Sequence, residues 1–144
     1  MTELDIRQRE EKPLRTGITR ALLVEIADSL AAFVETGAEH VIDLKSLPMT
    51  PGDLAEIDDR LGIGEVRADL TIIGKSEVWE TSYAGVWRVR HYGAGDAPAA
   101  DEVVIARAPR ILFTHPDDAR DAATRLRADN ETLTTITEGK DAHV

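Results

Sequence analysis

An α+β fold, a largely antiparallel meander sheet with helices packed on one face, is predicted by three features of this sequence. Apolar residues recur at spacings of three and four near the start and alternate in twos from Val66 to Ile72. The strand-like segments from there to Ala106 are joined by short Gly-containing connections, which make consecutive strands antiparallel neighbours. A Pro-initiated helical segment then follows the strands, so helices and sheet are segregated along the chain.

Residues 1–15 are charged, lack periodicity and contain Pro13, the composition of a mobile N-terminal arm. Thr16 is placed to cap a helix whose buried stripe is Ile18, Leu22, Ile26, Leu30, Phe33 and Val34, with Gly37 as a left-handed C-cap. His40–Leu44 reads as a short buried strand. In SLPMTPGDLAEIDDRLGIGE, Thr50 is an N-cap, Pro51 the first helical residue and Asp53 the return partner of the cap. That helix runs to about Leu61, where Gly62 and Gly64 release the chain into a strand with Val66, Ala68, Leu70 and Ile72 on its dry face.

Turns at Gly74-Lys75 and Ala84-Gly85 separate SEVWETSY and VWRVRHY as strands, and EVVIARA is a further one. Pro116, followed by Asp117 and Asp118, starts a helix to about Asn130, and residues 131–144 read as a frayed tail. One domain over residues 16–130 is the economical division for a chain of 144 residues.

Composition narrows the function. The 27 acidic and 17 basic side chains leave a formal charge of −10, which repels a phosphate backbone, so nucleic acid is not an expected partner. Between Thr50 and Glu80 eight acidic residues face only Arg60, Arg67 and Lys75, a net of −5, so half the excess charge lies before and within the aromatic segment. The absence of cysteine removes disulfides, thiolate nucleophiles and Cys-based zinc sites. No apolar signal core opens the sequence and no run is long enough to span a bilayer, which points to a cytoplasmic protein without membrane attachment.

The four histidines, His40, His91, His115 and His143, belong to four different elements and to no metal-ligand spacing, so neither metal nor cofactor is expected. His115 is placed to serve the helix start, and His91 shares a strand face with Trp87 and Val89 as a half-buried, hydrogen-bonded ring. None of Ser29, Ser46, Ser76 and Ser82 lies in a G-x-S-x-G elbow. Glu77 and Glu80, three apart on a strand, fall on opposite faces and read as surface charge. Both tryptophans and both tyrosines lie between Gly64 and Tyr92, and a hairpin about Ala84-Gly85 brings Trp79 near Trp87, on a shared face if the register allows. Tryptophan serves equally as a core residue and as a binding hot spot.

The ordered set VIDLKSLPMTPGDLAEIDDRLGIGEV, SEVWET, GVWRVRHY and ARAPRIL resembles, over about Ala21 to Arg127, the C-terminal domain of the HupH/HyaF family of hydrogenase expression and formation proteins. The resemblance implies an accessory role in maturing [NiFe] hydrogenase, through contacts with hydrogenase precursor or other maturation proteins and without an established reaction. Typical members look about twice as long, with a further N-terminal half, so self-association as a dimer is expected to stand in for it. On this reading the chain is not an enzyme, and Glu77, Trp79, Glu80, Trp87 and His91 frame a partner-binding surface. Two alternatives are a small-ligand or enzymatic pocket between sheet and helices using Glu80 and His91, and a metal-cofactor chaperone built on His40, His91 and nearby carboxylates.

Overall fold

The computed structural model describes residues 14–71 and 73–141. Nearly all of the expected N-terminal arm, together with Ile72 and His143, lies outside them. The chain divides into two compact units, Met1–Pro109 and Arg110–Val144.

Local capping chemistry sets the helices of the first unit. Helix α2, Pro51–Leu61, begins in a complete capping box, in which the Asp53 N–H donates to Thr50 Oγ1 at 3.1 Å and the Thr50 N–H donates to Asp53 Oδ2 at 3.0 Å. Helix α1, Ile18–Thr36, ends as expected at a left-handed Gly37, whose N–H donates to the Phe33 carbonyl. Its start is different. Gly17, also left-handed at φ 85°, holds the N-cap position without a side-chain cap bond. The Thr16 N–H and hydroxyl both donate to the fully buried Asp53 carboxylate, each at 2.8 Å. An ionised oxygen is the stronger acceptor, so Thr16 serves the cap of α2 and keeps only a 3.4 Å contact with the Ile18 N–H.

The sheet has five strands in the order β1-β5-β4-β3-β2, every neighbouring pair antiparallel. Strands β2 (Arg67–Leu70), β3 (Ser76–Glu80), β4 (Val86–Tyr92) and β5 (Pro98–Ile105) form the expected meander. Strand β1, His40–Asp43, returns beside β5 and makes one edge. Being an edge strand, it buries only Ile42 of its four residues and is not the buried strand its apolar run suggests. Strand β5 starts at Pro98, earlier than expected; the first position of a strand tolerates proline because no inner ladder bond is lost there.

Residues opposite one another in a ladder share a face. Ile42, Val103, Ile105 and Val86 therefore lie together, and with Leu22 and Ile26 of α1 and Ile57 and Leu61 of α2 they form the core. Val34, at the far end of the α1 stripe, is exposed, whereas Thr19 at the near end is buried, its hydroxyl donating to the Asp53 carbonyl.

Gly64 carries the chain from α2 to β2. Its N–H donates to the Glu80 carbonyl at 2.7 Å, and a Cβ there would meet the Thr81 carbonyl oxygen at 2.5 Å. The obstacle is backbone, so Gly64→Ala must displace the β2–β3 pair. We expect it to cost about 1–3 kcal/mol in urea unfolding.

The second unit contains a short 3-10 turn, Arg110–Leu112, and helix α3, Pro116–Asp141. The His115 ring accepts the Asp117 N–H at 3.1 Å, the helix-start role its position suggested. The helix continues well past Asn130, through residues that read as a frayed tail. Hydroxyls of Thr132, Thr134, Thr135 and Thr137 each donate to the carbonyl four residues back, so the threonines are satisfied without leaving the helical backbone.

Candidate functional site

Two adjacent rows cross the sheet on the face that α1 and α2 cover. One reads Arg67, Trp79, Arg88, Val103, Ile42 from β2 to β1; the next reads Asp69, Glu77, Arg90, Asp101 from β2 to β5. Toward β1 the face is apolar and belongs to the core. Toward β2 it is ionic.

Arg88 is at the centre, with 1% of its side chain exposed. Nη1 donates to Asp58 of α2 at 2.6 Å and Nη2 to Asp101 at 2.8 Å. Arg90 reaches the other Asp101 oxygen at 3.1 Å. Both guanidiniums lie over the Trp79 ring, at 5.3 and 5.1 Å from its centre, where its π-system attracts the cations. The Nε atoms of Arg88 and Arg90 are buried and have no hydrogen-bond partner among the described residues.

Above this network lies a pocket of about 200 Å³, walled by Trp79, the arginines, Asp58 and the chain leaving α2 at Gly62 and Ile63. Glu77 closes one side. It receives Lys75 Nζ at 3.0 Å, the Tyr92 hydroxyl at 3.2 Å and Arg67 at 3.5 Å. The Lys75 hydrogen bond, with Tyr92 and then the charges of Lys75 and Arg67, holds the Glu77 carboxyl below its usual range in spite of its burial. The same bond raises Lys75. The four cations Arg67, Lys75, Arg88 and Arg90 are thus matched by the carboxylates of Asp58, Asp69, Glu77 and Asp101, leaving a locally neutral site on an acidic chain.

The ladder separates the residues singled out from the sequence. Glu77 and Trp79 lie on this face; Glu80, Trp87 and His91 lie on the other. The tryptophans do not share a face, because Trp79 stands opposite Arg88 while Trp87 stands opposite Glu80. Trp87 is buried and its Nε1–H donates to the Ala106 carbonyl at 3.2 Å. Trp79 and Glu80 are half-buried.

His91 is half-buried, as its place on the strand suggested, and its Nδ1 meets Ser76 Oγ at 2.7 Å. This serine–histidine pair was not visible from spacing, since the hairpin register creates it. Among the described residues no carboxylate bonds the other ring nitrogen of His91, as an orienting group would in a hydrolytic triad. His40 is elsewhere, bonded to Glu25 at 3.2 Å, and no three of the described His, Asp and Glu residues form a metal-ligating group.

Arg88 and Arg90 stand out less in the sequence than its carboxylates and aromatics, yet they hold the centre of the site. The signal was the alternation in VWRVRHY: two arginines on one face of a central strand, under helices, require buried carboxylates.

These features define an α+β module whose helix-covered sheet face carries a self-neutralised arginine–carboxylate network around one tryptophan. Residues 18–133 match the family described as "HupH hydrogenase expression protein, C-terminal conserved region", and the chain belongs to that family. It is 35% identical over 117 residues to the hydrogenase expression/formation protein HupH of Rhodobacter capsulatus, covering 80% of this chain and 42% of the relative. With the protein of the same name from Rhizobium leguminosarum bv. viciae it shares 33% over 106 residues, 74% of this chain and 38% of the relative. It therefore spans about two-fifths of the length of these curated relatives. The solved hydrogenase expression protein HupH from Thiobacillus denitrificans superposes with a TM-score of 0.74 at 38% identity, covering 81% of this chain and 99% of that one. Among the described residues no helix is long and apolar enough to cross a membrane.

Proposed function

We propose that this chain is an accessory factor in hydrogenase formation, acting in the cytoplasm by binding a hydrogenase precursor or a fellow maturation protein, without turning over a substrate. The relatives' names supply the process. The observation that carries the contact is the β2 border of the sheet. Strand β2 is an edge with only four paired residues, and Ile63 (71% exposed), Val66 and Ile73 (94% exposed) line the chain on either side of it. Large aliphatics beside an open strand edge are features of a docking surface.

Trp79 lies one strand inward on the helix-covered face, and Glu80, on the other face at the end of β3, donates its N–H to the Val66 carbonyl at 2.9 Å, so each adjoins the β2 border from its own side of the sheet. Glu77 contributes by holding Arg67 at the pocket's side. Trp87 and His91, both bonded within the chain, support the sheet from the opposite face.

Variants must separate contact from folding. Trp79→Ala removes the surface on which Arg88 and Arg90 stack, so it disturbs stability as well as binding. Ile63→Asp and Glu80→Lys are cleaner. Affinity capture of hydrogenase precursor by tagged protein is expected to fall about 30-fold for Ile63→Asp, a hot-spot effect near 2 kcal/mol, with the melting temperature unchanged. Glu80→Lys should weaken capture more at low salt than at high salt, because Glu80 is only half-buried and added ions screen charges that reach solvent. Normal hydrogenase maturation in a strain lacking this gene, without a compensating paralogue, would refute the reading as a whole.

A further inference from the structure

Within the unit Arg110–Val144, every residue of α3 from Pro116 to Thr137 is exposed, among them Leu126 (71%), Leu133 (64%) and Ile136. Helices in water draw most of their stability from packing an apolar stripe, so one this long implies a partner.

The sequence of α3 specifies what that partner looks like. Leu126 and Leu133 are seven residues apart, with Ala119 seven before, and together they occupy one heptad position, d. Ala123, Asn130 and Thr137 then occupy position a, and Ala122 and Ile136 widen the stripe at g. The other possible frame, with both leucines at a, would set the Asp129 carboxylates of two parallel copies against each other at d and is disfavoured. Leucine at d with a single asparagine at a is a pattern that fixes register and favours two strands.

We propose that α3 pairs in parallel with α3 of a second copy of this chain, Leu126 on Leu126, Asn130 on Asn130 and Leu133 on Leu133. Parallel alignment lets the two Asn130 amides bond one another, and it sets Asp129 near Thr134 and Ala122 near Arg127, with no like charges opposed. Antiparallel alignment places Asn130 against Leu126 or Leu133, leaving an amide without a partner in an apolar layer. In the first of those registers it also opposes Arg127 to Arg127 and Asp129 to Asp129.

Because the chain contains no cysteine, single cysteines report orientation without background. Sedimentation at micromolar concentration is expected to give twice the 15.8 kDa chain mass, falling to 15.8 kDa for Leu126→Glu/Leu133→Glu. Near-ultraviolet circular dichroism should not change in that variant, since both tryptophans lie within Met1–Pro109. Under mild oxidation an Ala119→Cys chain, which keeps Asn130 and both leucines, should cross-link with itself several-fold faster than with a Thr137→Cys chain. A monomer at every concentration, or a dimer that survives the double glutamate variant, would overturn the pairing. Faster cross-linking between Ala119→Cys and Thr137→Cys chains would overturn the parallel arrangement.

Discussion

Arg88→Met is expected to lower the unfolding free energy by about 3–5 kcal/mol, the cost of removing one partner from a buried ion pair. The side chain is almost wholly buried and bridges two elements, joining Asp58 of α2 to Asp101 of β5. Its loss leaves Asp101, itself with 5% of its side chain exposed, sharing a single cation, Arg90, at 3.1 Å. Asp58 is 45% exposed and recovers water, so the penalty concentrates on Asp101. A second variant separates charge from packing. Arg88→Met/Asp101→Leu removes both members of the most buried pair and leaves Arg90, 19% exposed, with Asp58 at 3.6 Å, so it should be more stable than Arg88→Met alone even though it carries more substitutions. Urea unfolding followed by tryptophan fluorescence measures all three proteins, and an unchanged m-value keeps the comparison valid. If Arg88→Met costs under about 1 kcal/mol, the network behaves as a solvated surface pair and contributes little.

This network also marks where the sequence stopped being legible. Features set by neighbours in the chain could be read directly: the Thr50–Asp53 capping box, the left-handed Gly37, the turn at Ala84-Gly85 and the His115 helix start all appear where expected. The meander follows from short turns. What the sequence left open was set by register, which no single strand determines. Trp79 and Trp87 were near in any register, but only the observed Trp79–Arg88 pairing places them on opposite faces. The same pairing gathers Arg67, Arg88 and Arg90 about one indole and brings Ser76 to His91, contacts made across strands by residues whose spacing says nothing of each other. Thr16 was misjudged for a related reason: its better acceptor, Asp53, lies 37 residues away. The C-terminal part of α3 lacks an apolar pattern dense enough to announce a helix, and its threonines are satisfied by bonds that a propensity reading does not count.

Asp53 should make the stability of this fold depend on acid in a way one substitution can isolate. Its carboxyl is pulled from 3.8 to about 2, chiefly by the Thr50 N–H, then by the Thr16 N–H and the hydroxyls of Thr16 and Thr50, with burial opposing them. The folded-state value lies below the unfolded one, so the ionised form favours folding. The contribution is complete at pH values above the unfolded 3.8 and disappears as pH falls through about 2. Asn at this position keeps one acceptor but points an NH₂ at the donors of Thr16 or Thr50, and it does not titrate. Asp53→Asn should therefore be much less stable than the parent near neutrality, and the gap should close as acid protonates the parent's carboxylate. Glu77, also held below the usual range, titrates in both proteins, so it cancels from the difference. Melting temperatures of the two proteins across this interval decide the matter; curves that remain parallel would mean that the charge of Asp53 is not what secures α2. The consequence extends to the site, because Asp53 fixes the first turn of the helix whose later residue, Asp58, meets Arg88 at 2.6 Å. Acid that loosens Asp53 should therefore weaken the anchoring of Arg88 and Trp79 before the sheet itself unfolds.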